Sequence, residues 1–250
     1  MKKILYSLTC MSLLASCAMA DFTRVEVGTG AWMQTPNGSA TYTESGANGS
    51  YVSAKKDNTK PYIWAIIKHP LPALPNLRLE YVSIEDDGTA TGRFKDFDIG
   101  AVTTSLSYDM KQYDIIPYYN ILDNTGWITF DLGLDIKIVD ASYTAAPLVP
   151  FTGYSDSAVF PIPLLYARAR VEIPSTEIGV EADIKYITTG DSTVYDVRAK
   201  VDYTFDFVSV VKPALEVGYR VQKLDIDESS VDAKLDIDFS GFYAGLMLRF

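Results

Sequence analysis

The sequence predicts an all-β chain, a transmembrane antiparallel up-and-down β-barrel of about ten strands, with eight or twelve also admissible. Three observations predict it. Segments alternate apolar and polar residues at a period of two, and no stretch after Ala20 reaches the roughly 18 uninterrupted apolar residues of a membrane helix. The chain also ends on an alternating segment, Gly241 to Phe250 (GFYAGLMLRF), with Phe242, Ala244, Leu246, Leu248 and Phe250 on one face. Such a strand would invite edge pairing in a soluble domain, whereas a closed barrel has no edge.

From the N-terminus, residues 1–20 read as an export signal: Lys2 and Lys3, an apolar stretch from Ile4 to Leu14, then Ala18-Met19-Ala20 before Asp21. Leu14-Ala15-Ser16-Cys17 also fits a lipoprotein processing site. Cleavage after Ala20 is the better reading, because strand-like sequence starts at Phe22 and leaves no linker for a lipid anchor. Residues 21–250 then form the barrel. Both cysteines, Cys10 and Cys17, fall in the leader, so the mature chain closes its fold without disulfides. The leader carries two of the 22 basic residues and none of the 32 acidic ones, which leaves a net charge of −12 and argues against nucleic acid as a partner.

The first predicted strands are Phe22 to Met33, Pro61 to His69 and Leu77 to Glu85. Phe97 to Leu122 is one strand bulged near Lys111 to Asp114, or two strands, since its apolar parity changes between Tyr108 and Ile115. Trp127 to Val139 alternates most clearly, with Ile128, Phe130, Leu132, Leu134, Ile136 and Ile138 against Thr129, Asp131, Gly133, Asp135 and Lys137. Leu164 to Ile173, Ile178 to Thr188, Thr193 to Phe205, Val211 to Leu224 and Leu235 to Phe250 complete the set. Short links at Pro70 to Asn76, Asp123 to Gly126, Pro174 to Glu177 and Asp206 to Val210 suit periplasmic turns. Longer ones at Gln34 to Lys60, Asp86 to Asp96 and Asp140 to Pro161 suit outward loops, with brief exceptions at Thr189 to Ser192 and Asp225 to Lys234.

Ala20-Asp21-Phe22-x-Arg24-Val25-Glu26 with Gly28, Gly30 and Trp32, then His69-Pro70-x-Pro72-x-x-Pro75-Asn76, and Asp131-Leu132-Gly133-Leu134 together resemble a family of small proteobacterial outer-membrane β-barrels of unassigned role. Tyr243-x-Gly245-x-x-Leu248-x-Phe250 resembles the signal read by the barrel-assembly machinery. The resemblance implies insertion in the outer membrane and carries over no catalytic residue.

Parity points ten cations inward: Arg24, Arg78, Lys137, Arg168, Arg170, Lys185, Arg198, Lys200, Arg220 and Arg249. It does the same for ten acids: Glu26, Glu80, Asp131, Asp135, Glu172, Glu181, Asp183, Asp196, Asp202 and Glu216. In so narrow a barrel these must pair, because an unpaired buried charge is costly. A plugged or very narrow, charge-balanced lumen without strong ion selectivity follows, with the acidic surplus in loops, turns and strand ends such as Glu85-Asp86-Asp87 and Asp225-x-Asp227-Glu228. Inward glycines, Gly28, Gly30, Gly133, Gly179, Gly218 and Gly245, make room for bulky neighbours.

No catalytic, metal or cofactor-binding residue is assigned. His69 is the only histidine and reads as a turn residue, and the acidic clusters lack the spacing of a calcium loop. Pro70 to Pro75 reads as a stiffened turn. The expectation is a monomeric, non-enzymatic outer-membrane component with both termini periplasmic. Its partners are lipid, lipopolysaccharide and, during insertion, the assembly machinery, in a structural or surface-contact role. Alternatives are a narrow route for a small or apolar solute through a mouth formed by Tyr143 to Phe160, and a surface hydrolase, which would require His69 on the outer rim.

Overall fold

In the computed structural model the described residues are 24–43, 48–71, 73–94, 97–122, 127–146, 153–206, 211–227 and 233–250. The leader, with Cys10 and Cys17, lies outside them, as do Pro147, Pro150, Phe151 and Glu228. The strands are β1 (Arg24–Tyr42), β2 (Gly49–Ser53), β3 (Asn58–Lys68), β4 (Asn76–Thr91), β5 (Arg93–Phe94), β6 (Phe97–Asp98), β7 (Thr104–Leu122), β8 (Ile128–Ala145), β9 (Tyr154–Glu172), β10 (Ile178–Thr189), β11 (Ser192–Thr204), β12 (Lys212–Ile226) and β13 (Ala233–Arg249). Ten of them close an antiparallel ring, β1-β3-β4-β7-β8-β9-β10-β11-β12-β13 and back to β1. Within that ring β2 continues the position of β3 between β1 and β4, and β5 pairs with β6 in a small separate hairpin. Among the described residues no helix is long and apolar enough to cross a membrane.

Ten is an even number, so both ends of the ring strand order emerge together. The Phe250 N–H donates to the Val25 carbonyl at 2.9 Å. This terminal end also carries the β3–β4, β7–β8, β9–β10 and β11–β12 connections.

The ambiguous stretch resolves as one barrel strand, β7, preceded by β6. Its register against β4 runs unbroken from Asn76↔Tyr118 to Ala90↔Thr104, so there is no bulge at Lys111 to Asp114. The irregularity lies at Asn120/Leu122, on the β8 side. What changes along β7 is the interior. Even-numbered residues face inward from Thr104 to Tyr118, as Leu106, Tyr108 and Met110 at the far end and as Gln112, Asp114, Ile116 and Tyr118 nearer the termini. The outward face changes in the opposite sense, from Ser105, Asp109 and Lys111 to Tyr113, Ile115 and Tyr119.

The same inversion runs around the barrel. On β8 the inward set changes from Asp131, Asp135 and Lys137 to Val139, Ala141 and Ala145, while the outward set changes from Leu132, Leu134 and Ile136 to Asp140, Ser142 and Thr144. On β13 the inward Leu235, Ile237 and Phe239 are backed by outward Lys234, Asp236 and Asp238, and the order reverses beyond Gly241. The terminal half is therefore apolar outside and polar inside, as a lipid-facing barrel requires. The far half is built the other way round, with the apolar interior and polar exterior of a water-exposed sheet.

This corrects the predicted loops. Much of Gln34 to Lys60, Asp86 to Asp96 and Asp140 to Pro161 is strand, because β1, β4, β8 and β9 continue past the crossover into the far half.

Candidate functional site in the barrel interior

Of the twenty charged residues predicted to face inward, all but Arg24, Glu172 and Arg249 are buried, and those three sit at the rim of the terminal end. The strand pleat brings them there, since each lies at the same parity as its buried neighbours along its strand. Two inward acids escaped the sequence reading. Asp114 lay in the stretch with no settled parity, and Asp86 was assigned to a loop; both are buried. The interior thus holds part of the acidic surplus that was expected wholly in loops and strand ends.

At the terminal end, Arg170 donates to both oxygens of Asp202 at 2.6 and 3.0 Å, and Arg249 adds a third bond at 2.8 Å. Arg24 and Arg249 close on Glu26. One level deeper, Glu181 gathers Arg168 at 2.9 Å, Arg170 at 3.3 Å and Arg78 at 3.4 Å.

The central level spans the lumen. Arg198 on β11 donates to Glu80 on β4 at 2.6 Å, and these strands lie opposite one another on the ring. Lys185 on β10 bonds Glu80 at 2.6 Å and also Asp114 on β7. Lys137 bonds Asp114, while Arg220 holds Asp196 from the other side. Glu216 accepts from Tyr62 at 2.7 Å, Trp64 at 3.1 Å and Lys200 at 2.9 Å, and the Lys200 ammonium lies 4.5 Å from the Trp64 ring centre. Gln222 and Gln112 cross the barrel at 2.7 Å just above these charges. Charge-assisted bonds of this kind are the strong ones when desolvated, and their partners are lost only at high cost.

Glycines create the space. A Cβ at Gly28 would meet the Trp64 indole, one at Gly179 the Arg170 guanidinium, and one at Gly218 the Tyr243 ring. Beyond the charged plug lies the apolar core, where Tyr51, Tyr108 and Phe239 stack edge to face. Two hollows among these side chains, one lined by Trp64, Arg198 and Glu216 and one by Glu26, Asp131 and Arg168, measure about 10 and 20 Å³, room for roughly one water each.

The other candidates fall elsewhere. His69 is at the terminal end, in the β3–β4 turn. Its Nδ1 accepts from the Leu71 N–H at 3.1 Å, and its Nε2 lies 3.0 Å from the Pro75 carbonyl. Tyr143, Tyr154 and Phe160 are partly buried against the far core, with Tyr143 and Tyr154 rings 6.1 Å apart. Glu85, Asp86 and Asp87 are divided between the two faces of β4, Glu85 pairing with Lys60 and Asp86 accepting from Tyr51 at 2.7 Å. Among the described residues no group of three or more Asp, Glu, His or Cys is placed to hold a metal ion.

No protein-family model matches the chain, and no curated protein matches it in sequence. Among solved structures, the outer membrane protease OmpT from Escherichia coli is similar in fold, with a TM-score of 0.51 at 8% identity over 91% of this chain and 96% of that one. The translocator domain of autotransporter NalP from Neisseria meningitidis aligns at a TM-score of 0.43 and 11% identity over 100% of this chain and 97% of that one. Ring order, outward apolar half and this likeness define the class: the chain has the fold of an outer-membrane β-barrel, closed by ten antiparallel strands. At 8% identity the likeness extends to the fold and not to proteolysis.

Proposed function

We propose that the chain is an integral outer-membrane barrel whose interior is sealed, acting as a structural or surface-contact component and not as an enzyme or an open channel. The observation that carries this reading is the bond from Arg198 to Glu80 across the ring, with Lys185 beside it and an apolar core above. In this reading the export signal is removed, the termini face the periplasm and the far half rises into the exterior, where lipopolysaccharide surrounds it. The final strand is presented to the assembly machinery, and the barrel works as a monomer. Planar-bilayer recording of the purified chain tests the proposal: no steady conductance is expected, and a large, stable one overturns it.

A second reading, lateral passage of a small apolar solute, is favoured by one feature. The β9–β10 ladder stops at Leu165↔Tyr186, although both strands continue, because Pro161 and Pro163 on β9 have no N–H to donate toward β10. Inside this seam lie the apolar Ile162 and Leu164. A disulfide between cysteines placed at Pro163 and Thr188 would close the seam. Uptake that is blocked by oxidation and restored by reduction supports passage, and uptake indifferent to both removes it.

A further inference from the structure

One acid in the charged plug is unlike the rest. Glu26, Glu80, Asp114, Asp131, Glu181, Asp183, Asp196, Asp202 and Glu216 each make at least one ion pair. Asp135, on β8, is fully buried, and neither of its carboxylate oxygens has a hydrogen-bond partner among the described residues.

Its surroundings explain why no protein cation answers it. The charges that act most strongly on Asp135 are Lys185 from β10, Asp114 from β7, Lys137 from its own strand and Glu80 from β4. On β9 its register partner is Leu164, which offers nothing polar. Both lysines are already engaged: Lys185 by Glu80 and Asp114, Lys137 by Asp114 at 2.8 Å and Asp196 at 3.3 Å. Two ammonium groups are thus set among four carboxylates. Glu80 and Asp196 have arginines in addition, Arg198, which Glu80 shares with Asp183, and Arg220, so that these four cations serve five acids. Asp135 has none, and an uncompensated carboxylate at zero exposure is among the most costly arrangements a protein interior can hold.

We infer that Asp135 is a binding site for one additional unit positive charge, supplied by a hydrogen ion or by a monovalent alkali cation. A single carboxylate suits a monovalent species, and the described residues place no cluster of metal-ligating side chains there. The bound charge compensates the acid excess around Lys137 and Lys185 and completes the plug. It is a site within the charged plug, on the inward face of β8.

The test uses the full mature chain in detergent micelles, as wild type and as Asp135→Asn, with Asp135→Ser in reserve should the amide fold poorly. If the source is a hydrogen ion, the infrared spectrum of the wild type at neutral pH contains the C=O stretch of a neutral carboxylic acid, and the variant lacks it. If it is an alkali cation, that band is absent from both, and sodium or potassium raises the wild-type unfolding midpoint relative to choline at equal ionic strength while leaving the variant unmoved. Absence of both signatures overturns the inference, since the carboxylate is then satisfied by water alone. So does a variant destabilised as severely as one that loses a paired acid such as Glu80.

Discussion

Replacing Glu80 with Gln is the sharpest probe of whether the interior is a dry, paired network. Oε1 accepts from Arg198 at 2.6 Å and from Arg78 at 2.5 Å, and Oε2 accepts from Lys185 at 2.6 Å. The amide keeps the shape, removes the negative charge in front of three cations, and turns an N–H₂ group toward one of them. Breaking one side of a buried pair typically costs about 3–5 kcal/mol, because the remaining charge is stranded, or about two to four powers of ten in the folding equilibrium. The control is the exposed pair Lys223–Asp236, at 2.9 Å, where Asp236→Asn should cost no more than about 1 kcal/mol. Urea titration of the barrel in lipid vesicles, read by the mobility difference between folded and unfolded chains on gels, gives both numbers. If Glu80→Gln costs no more than Asp236→Asn, water reaches the centre of the barrel, and the sealed-lumen argument fails.

Three further outcomes follow from the structure. Leu134→Arg and Ser142→Arg change the same outward face of β8 on opposite sides of the crossover; the first should cost about 2–4 kcal/mol in a bilayer and the second close to nothing, in the same vesicle titration. Gly28→Ala drives a Cβ into the Trp64 ring, with an expected loss of about 1–3 kcal/mol and a shifted Trp64 emission spectrum. His69→Ala removes the ring that ties the β3–β4 turn and should lower stability by about 1 kcal/mol, measurable by the same titration.

The terminal half of every strand was legible because one rule, apolar out and charged in, holds along it. Ile128 to Ile138 and Ile178 to Tyr186 could be read by parity alone, and the inward charges on them were placed correctly. The far half obeys the opposite rule. Asp140, Ser142 and Thr144 look like loop sequence to a reader seeking an outward apolar face, although they continue β8 to Ala145. On β7 the two rules meet inside one strand, so an unbroken pleat imitated a bulge and hid Asp114. Cross-lumen pairing was expected in kind. Which acid would be left over was not, because the choice of Asp135 depends on distances between strands far apart in sequence.

The crossover also measures the membrane. On β8 the outward apolar run extends from Ile128 to Ile138, and at roughly 3.3 Å per residue with a tilt of about 40° it rises about 25 Å, the height expected of the lipid-facing band of such a barrel. The run from Val139 to Ala145 then adds roughly 15 Å beyond it by the same conversion. Inside the band, lipid outside forbids a polar exterior, so every polar group must turn inward and find a partner there. Above the band, water takes over the exterior and the interior can be filled with Tyr108, Leu106, Ile237 and Phe239 as in a soluble sheet. One closed wall thus meets two solvents, and the charged plug is confined to the level where hydrocarbon is the outer one. That confinement makes the cross-barrel pairs obligatory: at this level the charges have neither bulk water nor an outer face to turn to, and each one not matched by a side chain must be matched by something bound.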